Sequence, residues 1–205
     1  MSKIDLIKWN SEFKNKSPEA IIKFALEFAK KPVLTTNFRP YEVAILNAVT
    51  AIDKSLKVIW CDTGYNTPNT YQHAEDLITL LNLNIQCYVP KQTVAHRDVV
   101  LGIPSIDDPK HALFTAQVKL EPFKRAMYEH EPDVWFTNLR KGQTALRNSL
   151  DIFSQDAKGL LKVSPFYYWS DEDLDTYLAK HNLPNEHKYF DPTKQLENRE
   201  CGLHT

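Results

Sequence analysis

Short apolar segments alternate with amphipathic ones along most of this chain, and this alternation constrains the fold more than any other feature. Five segments have the length and the β-branched or aromatic content of strands: PVLTT, KVIWC, NIQCYVP, DVWFTNL and LLKVSPF. Segments with helical spacing separate most of them, and parallel strands need such crossovers. We therefore predict an α/β fold, with a mostly parallel twisted sheet and helices on both faces.

Capping residues and apolar spacing locate the helices. SPEAIIKFALEFA opens with a Ser cap and a Pro at the first helical position, and SDEDLDTYLAKHNLP opens with a Ser cap and an acidic first turn. YEVAILNAVTAI and TYQHAEDLITLLNL also have helical spacing. Residues 110–130 are predicted to be helical, with Pro122 beginning or kinking a helix because it lacks a backbone N–H.

The composition is that of an ordinary globular protein. Of 205 residues, 42% are apolar and 25% are charged, and 25 basic against 26 acidic residues give a net charge of −1. Such a chain has no overall field to attract nucleic acid or a membrane surface, so we expect neither as a partner. No apolar run approaches the roughly 20 residues of a membrane helix, and no signal peptide is evident, which predicts a cytoplasmic protein.

The chain has no internal repeat, low-complexity segment or evident linker, which predicts a single domain over residues 1–205. After Pro184 the helical and strand periodicities end and the sequence becomes polar. We predict that residues 185–205 form a mobile C-terminal tail, which a partner surface or a ligand would order.

The three cysteines are too few and too scattered for a disulfide framework. Cys61 and Cys87 belong to apolar runs and are predicted to be buried core thiols. Cys201 lies in RECGLH, where Arg199 and His204 would lower its pKa and a neighbouring acid would oppose them. The local chemistry leaves two interpretations open, a reactive thiolate and an exposed bystander.

Two turns that follow predicted strands are candidates for ligand binding, because ligands of parallel sheets lie beyond the carboxyl ends of the strands. TTNFRP offers hydroxyls and backbone N–H groups to an anion, or it only caps the next helix. CDTGYNTP places an Asp where it accepts from a ribose hydroxyl, holds a metal or stabilises the turn. The candidate residues are Thr35, Thr36, Asn37, Phe38 and Arg39 in the first turn and Asp62, Thr63, Gly64 and Tyr65 in the second.

A basic cluster follows the fourth predicted strand. LRKGQTALR contains Arg140, Lys141 and Arg147, and Lys119 lies in VKLEPFKRAM. Because Arg binds phosphate or sulfate oxygens in bidentate fashion, the cluster suits a polyanionic ligand; the alternative is a solvated helix face. No GxxxxGK, GxGxxG or Ser/His/Asp arrangement is present, which disfavours P-loop, dinucleotide-binding and hydrolytic functions.

Several motifs in one order resemble a known family. TTNFRPYEVA, CDTGYNTPNTYQ, VKLEPFKRAM, WFTNLRKGQTALRNSL, KVSPFYYWSDEDLDTYLAKHNLP and the terminal RECGLH are similar to motifs of the phosphoadenylyl-sulfate (PAPS) and adenylyl-sulfate (APS) reductases. The resemblance runs from about residue 18 to the last residue. It implies the adenine-nucleotide α-hydrolase-like fold, in which TTNFRPYEVA is a modified PP-loop.

The resemblance implies a reaction of assimilatory sulfate reduction. Cys201 would attack the sulfur of PAPS or APS, displace adenosine bisphosphate or AMP, and become S-sulfocysteine. Thioredoxin or glutaredoxin would then release sulfite. The turn Thr35–Arg39 would hold phosphate, while Arg199 and His204 would assist Cys201. Further cations for the anionic substrate would be Lys119, Arg140, Lys141 and Arg147.

Departures from the family pattern refine these expectations. The chain lacks the CC and CxxC pairs of the iron–sulfur branch, so we expect no bound cofactor, no cluster and no metal, and PAPS rather than APS as substrate. Arg39 and Pro40 follow Phe38, where most relatives have glycine after the Phe. The segment before RECGLH is shorter than in many relatives. Family members are often homodimers, and we expect the same here.

Two other functions remain open at this point. One is a PP-loop ATP pyrophosphatase or adenylyltransferase, which would need no terminal thiol. The other is a non-catalytic nucleotide-binding relative, which the altered loop at Arg39 and Pro40 suggests.

Overall fold

A six-stranded sheet forms the centre of the described chain, in the order β3-β2-β1-β4-β6-β5. The computed structural model describes residues 5–194. All pairings are parallel except that of β5 with β6. The strands are β1 (Pro32–Thr36), β2 (Lys57–Cys61), β3 (Ile85–Tyr88), β4 (Val134–Phe136), β5 (Phe153–Gln155) and β6 (Leu161–Val163). The prediction of a mostly parallel α/β sheet is confirmed.

All five predicted helical segments contain helix. Within residues 5–194 the helices are α1 (Leu6–Phe13), α2 (Pro18–Leu26), α3 (Glu42–Ile52), α4 (Pro68–Leu81), α5 (Val94–Val100), α6 (Lys110–Thr115), α7 (Glu121–His130), α8 (Ala145–Asn148) and α9 (Asp171–His181). A π-helical turn, Ala116–Leu120, joins α6 to α7. The sequence did not predict α1, α5 or α8, which have eight, seven and four residues and hence few apolar repeats.

The two faces of the sheet are both buried. Consecutive strand residues point to opposite faces, and in β1 Leu34 joins the larger core cluster while Val33 joins a smaller one. The larger cluster includes residues of α2 and α3, and the smaller one includes Ala126 of α7. The arrangement confirms helices on both faces. It also leaves the carboxyl edge of the sheet as the place where polar turns converge.

Pro122 explains the π-helical turn before α7. Proline has no N–H to donate to the carbonyl four residues earlier, that of Val118, and its ring crowds the preceding turn. The chain responds with a wider turn in which Glu121 N donates to Ala116 O, five residues back. Pro122 lies in the first turn of α7, so it begins a helix, one of the two outcomes that the sequence predicts. The wide turn leaves Lys119 buried.

Candidate active site

A cavity of about 230 Å3 lies at the carboxyl edge of the sheet. Its lining comes from strands β1, β2 and β4, from the turns after β1 and β4, from helices α3, α7 and α8, from the π-helical turn, and from residues 189–194, which follow α9. The polar lining residues are Thr35, Thr36, Asn37, Arg39, Glu42, Lys119, Thr137, Asn138, Arg147, Tyr189, Asp191 and Lys194. Six predicted site residues are among them, namely Thr35, Thr36, Asn37, Arg39, Lys119 and Arg147. The fold therefore brings together predicted site residues as far apart in the sequence as Thr35 and Arg147.

The turn after β1 is built around the carboxylate of Glu42, the first residue of α3. Thr36 Oγ1 and Asn37 N donate to Glu42 Oε2 over 2.7 and 2.6 Å, and Arg39 Nε donates to Oε1 over 2.8 Å. The predicted anion-binding turn thus encloses a carboxylate of its own chain. Sequence reasoning missed Glu42, although an acid in the first turn of the following helix was a usable signal.

The replacement of glycine by Arg39 needs no left-handed backbone at that position. The turn places its positive φ angles at Phe38 (53°) and Tyr41 (66°) instead. Phe38 is buried in the core, where its ring packs edge-on against Trp60 with centroids 5.0 Å apart. The Phe38 side chain, predicted to contact substrate, lies outside the cavity lining, whereas Arg39 lines it and also donates to the carbonyl of Asn138.

Asp62 organises the turn after β2. Its Oδ1 accepts hydrogen bonds from Gly64 N, Asn66 Nδ2 and the Tyr71 hydroxyl, at 2.9, 2.8 and 3.0 Å. Burial, the charge of Asp62 and this hydrogen bond raise the pKa of Tyr71 to about 12. Of the three interpretations of Asp62, stabilisation of the turn matches these contacts.

The other predicted residues of this turn face two directions. Thr63 lines a small cavity that shares Asn37, Lys119 and Asp191 with the main one. Tyr65 faces α5, since its hydroxyl donates to Asp98 over 2.8 Å and its ring lies 5.8 Å from the guanidinium of Arg97. Gly64 also lies against α5, because a Cβ added to it would lie 2.5 Å from Val94 Cγ2.

The basic residues that follow β4 lie in different surroundings. Arg147, which is 3% exposed, lines the cavity. Arg140 pairs with Asp171 at 2.6 Å and lies over the ring of Tyr41. Lys141 is exposed and lies over the ring of Tyr168. The fold thus brings Arg147 to the cavity but leaves Arg140 and Lys141 outside its lining.

Asn138 offers the cavity an acceptor that the sequence did not identify. It is 6% exposed and lines the cavity, and its Oδ1 has no hydrogen-bond partner within residues 5–194. Buried polar atoms are normally paired, so this oxygen is suited to accept from a ligand hydroxyl or amino group. Its position directly after β4, next to the basic cluster, was the available signal.

Residues 185–194 contact several elements around the cavity. Asn185 Oδ1 accepts from Tyr41 N, and the carbonyl of Lys188 accepts from the Thr67 hydroxyl, both at 2.9 Å. Lys119 Nζ donates to Asp191 Oδ2, and both side chains are almost fully buried. These contacts bring the beginning of the predicted tail to the cavity. The predicted residues Arg199, Cys201 and His204 lie outside the described residues.

The two other cysteines differ from each other. Cys61 is buried at the end of β2 and lines the cavity, as the core-thiol prediction requires. Burial raises its pKa to about 12, with a further increase from Cys87 that Lys119 partly offsets. The prediction for Cys87 was wrong, because this residue is exposed. It belongs to β3, an edge strand on which burial covers Tyr88 instead.

Residues 5–194 lack two features, a cluster of metal ligands and a membrane-spanning helix. No three His, Cys, Asp or Glu side chains in that part of the chain are grouped so that they could hold a metal ion. No helix there has both the length and the apolar character needed to cross a membrane.

The chain shares its fold with solved proteins of low sequence identity. It resembles Candida glabrata FMN adenylyltransferase in complex with ATP, with a TM-score of 0.59, 11% identity, and coverage of 90% of this chain and 60% of that one. It also resembles the NH3-dependent NAD synthetase of Campylobacter jejuni, with a TM-score of 0.55, 11% identity, and coverage of 88% and 75%. The fold is therefore adenine-nucleotide α-hydrolase-like.

Sequence relatives identify the family. The model of the phosphoadenosine phosphosulfate reductase domain matches residues 31–191. A relative named phosphoadenosine 5′-phosphosulfate reductase from Synechocystis sp. is 33% identical over 195 residues, which cover 93% of this chain and 77% of the relative. One of the same name from Xylella fastidiosa is 30% identical, with coverage of 98% and 94%. The PAPS reductase of Candida auris, solved as a phosphate complex, has a TM-score of 0.77 at 21% identity, with coverage of 89% and 90%.

This chain belongs to the phosphoadenosine phosphosulfate reductase family.

Proposed function

We propose that this protein reduces PAPS to sulfite and adenosine 3′,5′-bisphosphate, through an S-sulfocysteine at Cys201 and with thioredoxin or glutaredoxin as reductant. One observation carries the proposal: Arg39, Lys119 and Arg147 converge on a cavity at the carboxyl edge of the sheet, and the segment that leads to Cys201 borders the same cavity.

The lining suits a nucleotide with several negative charges. Guanidinium groups bind phosphate and sulfonate oxygens in bidentate fashion, and a buried ammonium adds a point charge. Asn138 Oδ1 would accept from a ribose hydroxyl or from the adenine amino group. Cations and an acceptor in one cavity match the chemistry of PAPS, which has anionic groups as well as hydrogen-bond donors.

Cys201 lies within reach of this cavity. Lys194, the last described residue, lines it, and Cys201 follows seven residues later. An extended chain covers at most about 3.6 Å per residue, so the thiol can lie anywhere within about 25 Å of Lys194. A nucleophile on such a segment can meet the substrate in the cavity and afterwards meet a protein reductant outside it.

The proposed reaction has two stages, transfer of the sulfonate to Cys201 and its release as sulfite by the reductant. The Cys201 thiolate attacks the sulfonate sulfur; an S–S bond forms, and the S–O bond to the phosphate breaks with its electron pair leaving on adenosine bisphosphate. A thiolate of the dithiol reductant then attacks Sγ of Cys201 and expels sulfite. The second thiol of the reductant resolves the mixed disulfide, so the two electrons come from the dithiol. Arg147 and Lys119 would offset the charge of the sulfonate and of the leaving group.

The decisive experiment is a single turnover without reductant. Protein mixed with PAPS should gain the mass of one SO3 group at Cys201, and reduced thioredoxin should then release sulfite. Cys201→Ser should remove the adduct, whereas Cys87→Ser, which removes the exposed thiol of β3, should keep it. APS serves as the second substrate, and an adduct with APS but not with PAPS would reverse the assigned preference. Absence of the adduct with both nucleotides would refute the function.

An adenylyl-transfer function is the second candidate, because the FMN adenylyltransferase above shares the fold. Such an activity requires ATP and no terminal thiol. Exchange of labelled pyrophosphate into ATP that survives Cys201→Ser would favour it. Tight binding of adenosine bisphosphate without turnover in the presence of thioredoxin would favour a non-catalytic protein. Light scattering on the purified protein tests the further proposal of a homodimer.

A further inference from the structure

We propose that Asp191 is an internal anion that gates the cavity: its carboxylate takes the position at Lys119 that an anionic group of the substrate occupies during binding. The proposal rests on the function proposed above, because it treats this cavity as the substrate site. As a gate, Asp191 controls the binding of anions and takes no part in the chemical step.

The contact is a buried ion pair with supporting hydrogen bonds. Lys119 Nζ donates to Asp191 Oδ2 and, over 3.3 Å, to Thr193 Oγ1. Asp191 Oδ1 accepts from Thr193 N at 3.0 Å and from the Thr193 hydroxyl at 2.6 Å. The side chains of Lys119 and Asp191 are 3% and 5% exposed. Both carboxylate oxygens are therefore engaged at the lining of the cavity.

A second carboxylate in the lining, that of Glu42, has a different role. Glu42 belongs to the first turn of α3 and accepts from the turn after β1. Its position is fixed because the helix is packed in the core. Asp191 belongs to a segment without helix or strand, whose contacts with the rest of the protein include hydrogen bonds of Asn185, Lys188 and Pro192. Of the two carboxylates, Asp191 is the one that can leave.

Exchange of Asp191 for a substrate anion keeps Lys119 paired throughout. A second negative charge close to the Asp191 carboxylate is strongly unfavourable in a poorly solvated cavity. Removal of the Asp191 carboxylate from the buried Lys119 ammonium without a replacement anion is costly as well. Replacement of one anion by the other avoids both states. The exchange also moves Asp191 and its neighbours within residues 185–194, so binding of the anion and the position of these residues are thermodynamically linked.

The competing interpretation is that Asp191 positions Lys119 for the substrate. In that case its carboxylate would stay in place when substrate binds, and its removal would weaken binding. If Asp191 is a gate, its removal should strengthen binding instead. The direction of the change in Kd therefore distinguishes the two interpretations.

The test is made in Cys201→Ser protein, in which no sulfur transfer occurs, by calorimetric titration with PAPS and with adenosine 3′,5′-bisphosphate. Adding Asp191→Asn should lower the Kd for PAPS by about 5- to 50-fold. Glu186→Gln is the matched control, because it removes the same charge from the same segment. Glu186 accepts from Lys188 N and Asn69 Nδ2, outside the cavity, and its substitution should leave the Kd within about twofold.

Thr193→Val provides a second variant, since it keeps the charge pair and removes the hydroxyl that donates to Asp191 and accepts from Lys119. It should also lower the Kd for PAPS, but by a smaller factor than Asp191→Asn does. An unchanged or higher Kd in Asp191→Asn protein that binds PAPS refutes the gate and leaves the proposed function intact. If neither the Cys201→Ser parent nor the Asp191→Asn variant binds either nucleotide, both proposals fail together.

Discussion

Arg140 and Arg147 belong to one motif, yet the fold gives them different surroundings. Arg147 is buried in the cavity lining, whereas Arg140 pairs with Asp171 at the first turn of α9. We expect Arg147→Ala to lower kcat/KM for PAPS by about 10- to 100-fold, because a hydrogen-bonded charge contributes about 1.5–3 kcal/mol. Arg140→Ala should have a much smaller effect.

Steady-state kinetics with PAPS and thioredoxin measures this difference, and circular dichroism of both variants confirms that they are folded. A loss in Arg140→Ala as large as that in Arg147→Ala would mean that Arg140 leaves Asp171 for the substrate. Arg147→Lys adds a second test. It keeps the charge but removes the bidentate geometry, so it should recover only part of the lost activity.

Single residues also show where sequence reasoning reached its limit. The turns at Thr35–Arg39 and Asp62–Tyr65 were identifiable because they follow apolar strands whose carboxyl ends meet at one edge. The contact between Lys119 and Asp191 was not identifiable, because the two residues are 72 positions apart in the sequence and only the fold brings them together. The local signal of FDPT, an Asp two residues before a Thr, indicates a turn and not a site.

At the scale of elements, α5 holds the turn after β2 through close contact at Gly64. Gly64 has a φ of +82°, and a Cβ added there would lie 2.5 Å from Val94 Cγ2. We expect Gly64→Ala to destabilise the protein by about 2–4 kcal/mol, the sum of a left-handed backbone and a steric overlap. Chemical denaturation with urea measures this change.

A double variant separates the two contributions. Val94→Ala removes the contacting methyl group and should cost little alone, since Val94 is only partly buried. Combined with Gly64→Ala, it should restore the part of the stability that is lost to overlap, while the backbone part remains. Gly142→Ala is the backbone control, because Gly142 has a φ of +88° and no neighbour within 4 Å of an added Cβ. Equal losses in Gly64→Ala and Gly142→Ala would contradict the steric contribution.

The predictability of each element followed its length and burial. β1 and β2 were recognisable because both of their faces are largely covered, so apolar residues occupy consecutive positions, VL in β1 and VIWC in β2. β5 has three residues, of which Ser154 and Gln155 are polar, so neither periodicity nor composition indicates it. Its antiparallel pairing with β6 depends on a turn closed by Asp156 N and Leu160 O. Such a short hairpin is defined by tertiary pairing rather than by local preference.

For the whole molecule, the ion pair that gates the cavity also contributes to folding stability. Burial by itself raises the pKa of Asp191, but the charge of Lys119 and the hydrogen bonds from Lys119 and Thr193 outweigh it and hold the pKa below its usual value. The unfolded chain therefore binds a proton at a higher pH than the folded protein does. The stabilisation is fully present above the unfolded pKa of about 3.9 and is lost as the pH falls through the folded value.

Asp191→Asn should accordingly lower the free energy of unfolding at pH 7 by about 3–5 kcal/mol, because it removes the carboxylate charge from a buried ion pair with Lys119. The difference between variant and parent should shrink as the pH falls below about 4, where the parent carboxylate also becomes protonated. Urea titrations across this pH range measure it. Glu186→Gln should show a smaller change at neutral pH, because its contacts are exposed. A difference that stays constant with pH would exclude the carboxylate charge as its source. Together with the gate, the result expected at pH 7 is an Asp191→Asn protein that is less stable than its parent and yet binds PAPS more tightly.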